Sequence, residues 1–325
     1  MLGKQVKIKF IQSLKGAGKI PCLEPLNNNL NVEQVIANNL CEIENYILIY
    51  GGVLFRGFII DSVEDFSIAA SSFLPNFIEY NLKYTPRTKV ADKVYTSTEY
   101  RNDRFIPFHS ECSYATSWPN TILFFCLTPP GIGGETPLAD NRLVYKKLSK
   151  PLVNKLNSKK ILYIRNYSPL TNFDWRYTFN TTDKNSVELA CLRAGISFKW
   201  KSEQIIELTT KQVGHASITH PITREPIWFN QAHVRHISAL INEDKEQLLK
   251  IVAGNLKNIP QNAFCGDGKN IKINYLSEIR SAYEDEKIEF KWEKSDLLIL
   301  DNLLMAHSRN PYKGERKILV AMGNR

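Results

Sequence analysis

Two short apolar runs close the chain, DLLILDN (residues 296–302) and RKILVAM (316–322), separated by a loop. Each is bounded by polar residues and is too short for an ordinary helix, so the end of the chain reads as β. Further runs of this kind lie upstream: RFIPFHSE (104–111), TILFFCL from Thr121, ILYIR from Ile161 and PIWFN from Pro226. Residues 31–39, 141–157, 186–193 and 276–285 read as helices, and residues 46–58 as two strands around Gly51-Gly52. Asp61 stands where it can cap a helix through VEDFSIAASSF. Many short strands with helices around them predict a mainly β fold, a barrel of antiparallel strands with helical decoration. No repeat, low-complexity tract or Pro/Gly/Ser-rich linker marks a boundary. One domain over 1–325 is expected, with 1–44 as an N-terminal extension packing on the barrel.

With 43% hydrophobic and 23% charged residues among 325, the chain has the composition of an ordinary globular protein. No stretch approaches the roughly 18–20 apolar residues that span a bilayer. The basic N-terminus lacks an apolar block and a small-residue cleavage site, so no secretory signal is read and a soluble cytoplasmic protein is expected. Six cysteines (Cys22, Cys41, Cys112, Cys126, Cys191, Cys265) form no CxxC pair, the pattern of buried free thiols. The net charge of +9 is spread along the chain without an aromatic-interleaved basic motif. That argues against a nucleic-acid partner and for a solvated surface that attracts anionic substrates.

The candidate chemistry begins at His109 and Glu111, two apart at the end of an apolar strand, where alternation would point both side chains to one face. His307, just beyond a distant strand, would complete a two-histidine, one-carboxylate set. Such a set occupies one face of an octahedron and leaves positions open for a bidentate 2-oxo acid and for dioxygen. A zinc hydrolase could use the same ligands, but it does not call for Arg316. A guanidinium facing a barrel interior is costly to bury unpaired, and the distal carboxylate of 2-oxoglutarate matches it in shape and charge. A surface arginine or a structural ion pair is the plainer alternative.

These residues sit in longer stretches: YTPRTKVADKVYTSTEY, then IPFHSECSYATSWPNTILFFCLTPPGIGGETPLADNR, then PIWFNQ, FCGDG and LLILDNLLMAHSRNPYKGERKILVAM. In that order they resemble the taurine dioxygenase/clavaminate synthase-like superfamily of Fe(II)/2-oxoglutarate oxygenases, nearest to the syringomycin-biosynthesis-type amino-acid hydroxylases. The resemblance implies a double-stranded β-helix, a cupin-like jelly roll, with His109, Glu111 and His307 as the iron ligands. It also implies that Thr136, after the Gly133-Gly134 turn, and Arg316 bind 2-oxoglutarate. Much of the superfamily has Asp where this chain has Glu111, although the clavaminate synthase branch is known for Glu. Halogenases of this type lack the carboxylate altogether, so Glu111 points to hydroxylation. The substrate implied is an amino acid or amino-acid-like molecule of secondary metabolism, free or held on a carrier protein. Desaturation or cyclisation is the alternative outcome, and a zinc hydrolase or a non-catalytic cupin-like binding protein the rival class.

Other residues invite smaller expectations. His215, His220, His233 and His236 lack a carboxylate or thiolate partner at telling spacing and read as surface or loop residues. Cys112 should point away from Glu111 into the core, and Trp118, Trp228 and Trp292 should supply buried area. Arg309 would either reach the substrate or pair with Asp301 or Asp296. The polar stretch 84–103 reads as a loop that closes over the barrel mouth, with Arg87, Arg101 and Arg104 as substrate contacts or as a solvated surface.

Overall fold

The two closing runs form the Leu297–Asp301 and Lys317–Asn324 strands, which flank Thr121–Thr128 in a nine-stranded sheet. The computed structural model describes residues 2–27, 29–78, 87–98, 100–168, 173–201 and 206–325. These three strands are apolar throughout because the sheet is covered on both sides. Leu123, Phe125, Leu297, Ile299, Leu319 and Ala321 point to one face and pack on the Val32–Asn38, Leu40–Tyr50 and Val63–Phe73 helices. Their neighbours Ile122, Phe124, Leu298, Leu300, Val320 and Met322 point to the other face, against Leu138, Trp292 and Met305. The period of two in side-chain direction thus feeds two cores from one run of residues.

The second face meets a narrow three-stranded sheet of Leu138–Asp140, Met305–Arg309 and Ile106–His109, with Met305–Arg309 in the middle. Behind it Phe108, Ala139 and Ala306 pack on the Asn141–Lys147, Lys150–Lys159 and Ile273–Asp285 helices. A four-stranded sheet, including Ile161–Tyr167 and Gln261–Cys265, closes this second core. The chain is therefore mostly sheet with helices, as expected. Among the described residues the strands pair into separate open sheets and no hydrogen-bonded barrel closes. No helix among those residues is long and apolar enough to cross a membrane.

Several local expectations need correction. Residues 46–58 are not two strands: Leu40–Tyr50 is a helix that buries Ile43 and Ile47, and only Gly52–Phe55 is extended. Gly51, at φ +80°, ends that helix in the left-handed conformation that glycine adopts without steric cost. The cap of the Val63–Phe73 helix is Ser62, in a reciprocal capping box with Asp65, rather than Asp61. The helix expected over 141–157 breaks into two at Leu148-Ser149, with Pro151 in the first turn of the second. Cys41 is exposed and Cys112 half-buried, while the other four thiols are buried. Trp228 and Trp292 are core residues, whereas Trp118 is only partly covered.

Three of the four remaining histidines are buried, not on the surface; only His215 is exposed. The Nε2 of His220 lies 3.1 Å from Asp301, and its Nδ1 accepts the backbone N–H groups of Ile222 and Thr223. His233 donates from Nε2 to the Phe108 carbonyl at 2.8 Å, and His236 accepts the Ser238 N–H at Nδ1. Burial pushes His233 down to about 3 and, with help from Arg280, His236 down to about 4. The folded protein keeps both rings neutral while the unfolded chain protonates them near the ordinary value of about 6.5. As pH falls from about 6.5 towards 4 the unfolded state therefore binds more protons and stability is lost, by about 1.4 kcal/mol per pH unit for each ring. Urea denaturation at pH 7 and pH 5 measures this; a midpoint that holds or rises on acidification would contradict it.

Candidate metal centre and active site

His109 and His307 face each other across the Ile106–His109 and Met305–Arg309 strands, as a register pair with ring centroids 4.4 Å apart. Glu111 is not on the strand. Ile106–His109 ends at the histidine, and the chain turns through Ser110, Glu111 and Cys112, which has φ +56°. Convergence thus comes from a turn rather than from strand alternation, and for the same reason Cys112 is not driven into the core. One side chain fixes that turn. Asn302, fully buried, accepts the Glu111 N–H at 2.7 Å and donates to the Glu111 carbonyl at 3.0 Å and the Pro119 carbonyl at 2.8 Å.

One ligand atom from each of His109, Glu111 and His307 lies within 4.8 Å of the others, the single such cluster among the described residues. Burial lowers the pKa of both histidines, that of His307 well below its ordinary value, so both rings are neutral. Burial pushes the Glu111 carboxyl up, but the charge and hydrogen bond of Arg87, with Arg235 further off, bring it below its ordinary value, so it is ionised. His109 donates from Nδ1 to the Pro107 carbonyl at 2.8 Å, which leaves its Nε2 lone pair free. His307 Nδ1 is buried without a hydrogen-bond partner among the described residues. Two neutral nitrogens and one carboxylate suit a divalent transition metal, and a buried nitrogen left unanswered fits a group the chain itself does not supply.

Arg87 places Nη2 2.7 Å from Glu111 Oε2, both side chains being almost fully covered. It lines two cavities, whose walls also share Thr98, Ile106 and His109. The smaller, about 30 Å³, continues past His307 to Thr136, Arg309 and Arg316. Arg316 donates to the Gly134 carbonyl at 2.8 Å, to Thr136 Oγ1 at 3.2 Å and to Ser97 Oγ at 3.3 Å. It meets no carboxylate among the described residues, and burial, with the charge of Arg309, pushes its pKa down to about 10. Thr136 also accepts the Trp292 indole N–H at 3.0 Å. With both acceptor sites of the hydroxyl engaged, its own proton is left to donate elsewhere. The Gly133-Gly134 turn that delivers Thr136 has φ +69° and +72°, and a Cβ on Gly133 would stand 2.2 Å from the Pro311 carbonyl oxygen.

The larger cavity, about 380 Å³, opens on the other side of His109 and Glu111 and is walled by Tyr100, Phe105, Tyr114, Arg235, Leu240 and others. Of the three arginines expected as substrate contacts, Arg87, Arg101 and Arg104, only Arg87 lines it. Arg101 is exposed and paired with Asp103, and Arg104 lies within 4.0 Å of the same carboxylate. Positions 84–86 and 99 lie outside the described residues, but Lys89–Ala91 and Val94–Thr96 are strands of the nine-stranded sheet, so this stretch is not simply a loop. Arg309 reaches neither Asp301 nor Asp296; those pair with His220 and Arg56. It donates instead to the carbonyls of Thr98, Tyr100, Arg101 and Arg104. Asn302 and Trp292 as supports of Glu111 and Thr136 were missed in the sequence, where each looks like an ordinary turn or core residue.

The taurine catabolism dioxygenase TauD, TfdA family matches residues 23–322. The chain is 32% identical over 309 residues to the dapdiamide synthesis protein DdaC of Enterobacter agglomerans, covering 95% of this chain and 92% of that one. It is 28% identical to a clavaminate synthase-like protein of Arabidopsis thaliana, with 84% and 81% covered. Its fold is similar to that of PvcB from Pseudomonas aeruginosa, with TM-score 0.59 at 14% identity over 98% of this chain and 92% of that one.

Asn302→Ala removes three buried hydrogen bonds and leaves the N–H and carbonyl of Glu111 without partners. The expected cost is about 2–4 kcal/mol of stability and roughly a 10- to 100-fold loss of divalent-metal affinity, the usual size for groups that orient a ligand. Urea unfolding and metal titration measure the two. A folded variant with unchanged metal affinity would remove Asn302 from any role in setting the site.

Proposed function

The chain belongs to the TauD/TfdA family of Fe(II)/2-oxoglutarate-dependent dioxygenases, and from that premise we propose that it hydroxylates an unactivated carbon of an amino-acid-like small molecule in a biosynthetic pathway. In this reading His109, Glu111 and His307 hold the iron, while Arg316 and Thr136 hold the distal carboxylate of 2-oxoglutarate. The proposal includes one domain over 1–325 with a double-stranded β-helix at its centre. The observation that carries it is the cluster of two neutral imidazoles and an ionised carboxylate, with Arg316 meeting no carboxylate among the described residues in the adjoining cavity.

Iron(II) and 2-oxoglutarate, when bound, would activate dioxygen, the oxidant: the 2-oxo acid would take one oxygen atom and leave as succinate and carbon dioxide, and the other would enter a substrate C–H bond. The protein's own residues do the rest. Neutral His109 and His307 offer lone pairs without a proton to be displaced, and Glu111 brings the negative charge that offsets part of the metal's. Arg87 steadies that carboxylate and adds positive charge to both cavities. Arg316 presents a rigid donor fork, and Thr136 a hydroxyl proton whose direction is set by Trp292 and Arg316. Phe105, Ile106, Ile237 and Leu240 give the side on which a substrate would lie an apolar wall that a bound hydrocarbon could cover. The dapdiamide synthesis relative supports a biosynthetic product, and Glu111 favours hydroxylation over halogenation. The same oxidant could desaturate or cyclise a substrate held differently, and the substrate could arrive free or on a carrier protein.

His109→Ala, Glu111→Ala and His307→Ala should each lose iron and the conversion of 2-oxoglutarate to succinate while remaining folded. Arg316→Ala should keep iron and require about 10- to 100-fold more 2-oxoglutarate, the equivalent of roughly 1.5–3 kcal/mol for a charge-assisted pair. Thr136→Ala should cost less, about 1 kcal/mol for one neutral hydrogen bond. Metal analysis and a succinate assay read these outcomes. Full turnover without any one ligand sinks the triad, and an unchanged 2-oxoglutarate requirement in Arg316→Ala sinks the anchor.

A further inference from the structure

The larger cavity contains a guanidinium that nothing in the metal site uses. Arg235 ends the short Ala232–Arg235 helix and lines this cavity with His109, Glu111, Tyr114 and Gln261. Its Nε–H donates to Gln231 Oε1 at 3.0 Å and its Nη1 to Gln261 Oε1 at 2.8 Å. Its Cζ stands 5.3 Å from the centre of the Tyr114 ring, over which Arg165 also lies at 4.9 Å. Both hydrogen-bond partners are neutral amides. They orient the cation without neutralising it, and no carboxylate pairs with it among the described residues.

The mounting is tied to the metal ligands. The same Gln231 that receives Arg235 donates its Nε2–H to the carbonyl of Ser110, the residue between His109 and Glu111, at 2.9 Å. Gln231 is itself buried, and its backbone N–H is held by the Tyr163 hydroxyl at 2.9 Å. Arg235 is close enough to lower the pKa of both His109 and Glu111. A planar donor fork, fixed in direction and half removed from water, has Nη2 and one Nη1 hydrogen left over, which suits a carboxylate in a bidentate or bridged pair. Leaving such a cation unpaired in a partly desolvated cavity is costly, and an anionic ligand removes the cost.

We propose that Arg235 binds a carboxylate of the primary substrate, so that the substrate class is a carboxylic acid whose apolar body lies along Phe105, Ile237 and Leu240 towards the metal ligands. This rests on the oxygenase reading above for what happens to the substrate, but not for the binding itself. Selectivity follows from charge: a neutral amide of the same shape leaves the guanidinium without a counter-ion, whereas the acid supplies one.

The test uses the full chain loaded anaerobically with iron(II) and saturating 2-oxoglutarate, titrated calorimetrically with 4-methylpentanoate and with its neutral isostere 4-methylpentanamide. The acid should bind at least tenfold more tightly than the amide. Arg235→Gln should abolish that preference with 2-oxoglutarate affinity unchanged. Arg235→Lys, which keeps the charge but cannot hold both glutamines, should retain the preference at weaker affinity. No binding of the acid, equal binding of acid and amide, or a preference that survives Arg235→Gln would each overturn the proposal. If the wild-type chain fails to bind 2-oxoglutarate, the oxygenase assignment of Arg316 and the triad fails instead, and the same acid-against-amide comparison on the metal-free chain still decides the role of Arg235.

Discussion

The site depends on the grip of Asn302 on Glu111. A carboxylate two residues past the end of a strand would ordinarily take whatever direction its turn allowed. Here both backbone polar groups of Glu111 are answered by one buried carboxamide 191 residues away in sequence, and the side chain is left with one direction. Asn302 directly follows the Leu297–Asp301 strand, and His307 lies a few residues later on Met305–Arg309. One segment therefore brings a candidate ligand histidine and also secures the turn that carries the carboxylate. The double-faced apolar sheet matters to the site chiefly because it holds that segment still.

Four arginines crowd the two cavities, and each is answered differently. Arg87 meets a carboxylate, Arg309 meets backbone carbonyls, Arg316 meets a carbonyl and hydroxyls, and Arg235 meets two amides over an aromatic ring. Among the described residues only the first is neutralised by a side chain. In a partly desolvated space this leaves both cavities beside the candidate metal ligands positive, a field that favours anionic ligands.

His109, Glu111 and His307 stand out in the sequence as candidate metal ligands because histidine and glutamate beside apolar strands are chemically conspicuous. How they meet is not visible there: strand alternation predicts Glu111 beside His109 on one face, whereas the structure brings it round by a turn. Thr136 could be singled out only through the longer motif around it, whereas Arg316 also stands out as a charge on an apolar strand. Asn302 could not, since a buried asparagine and a turn asparagine look alike until the distant partner is known. The Leu40–Tyr50 helix was misread because ILIY has the composition of a strand, while tertiary packing of Ile43 and Ile47 selects the helix. His220, His233 and His236 read as loop residues because their partners, a carboxylate and backbone groups, are fixed by packing rather than by neighbouring sequence.

Arg309 shows what such packing does to shape. Its guanidinium gathers the carbonyls of Thr98, Tyr100, Arg101 and Arg104, two of which belong to cavity-wall residues, and its backbone belongs to the strand that carries His307. The rim of the larger cavity and one of the candidate metal ligands thus share a foundation. A change that leaves the core intact but shortens this side chain would loosen the rim first, so the outline of the opening is encoded far from the residues that form its edge. Sequence drift around the rim can then alter which molecules enter without disturbing the ligands, as long as the carbonyls remain gathered at one point.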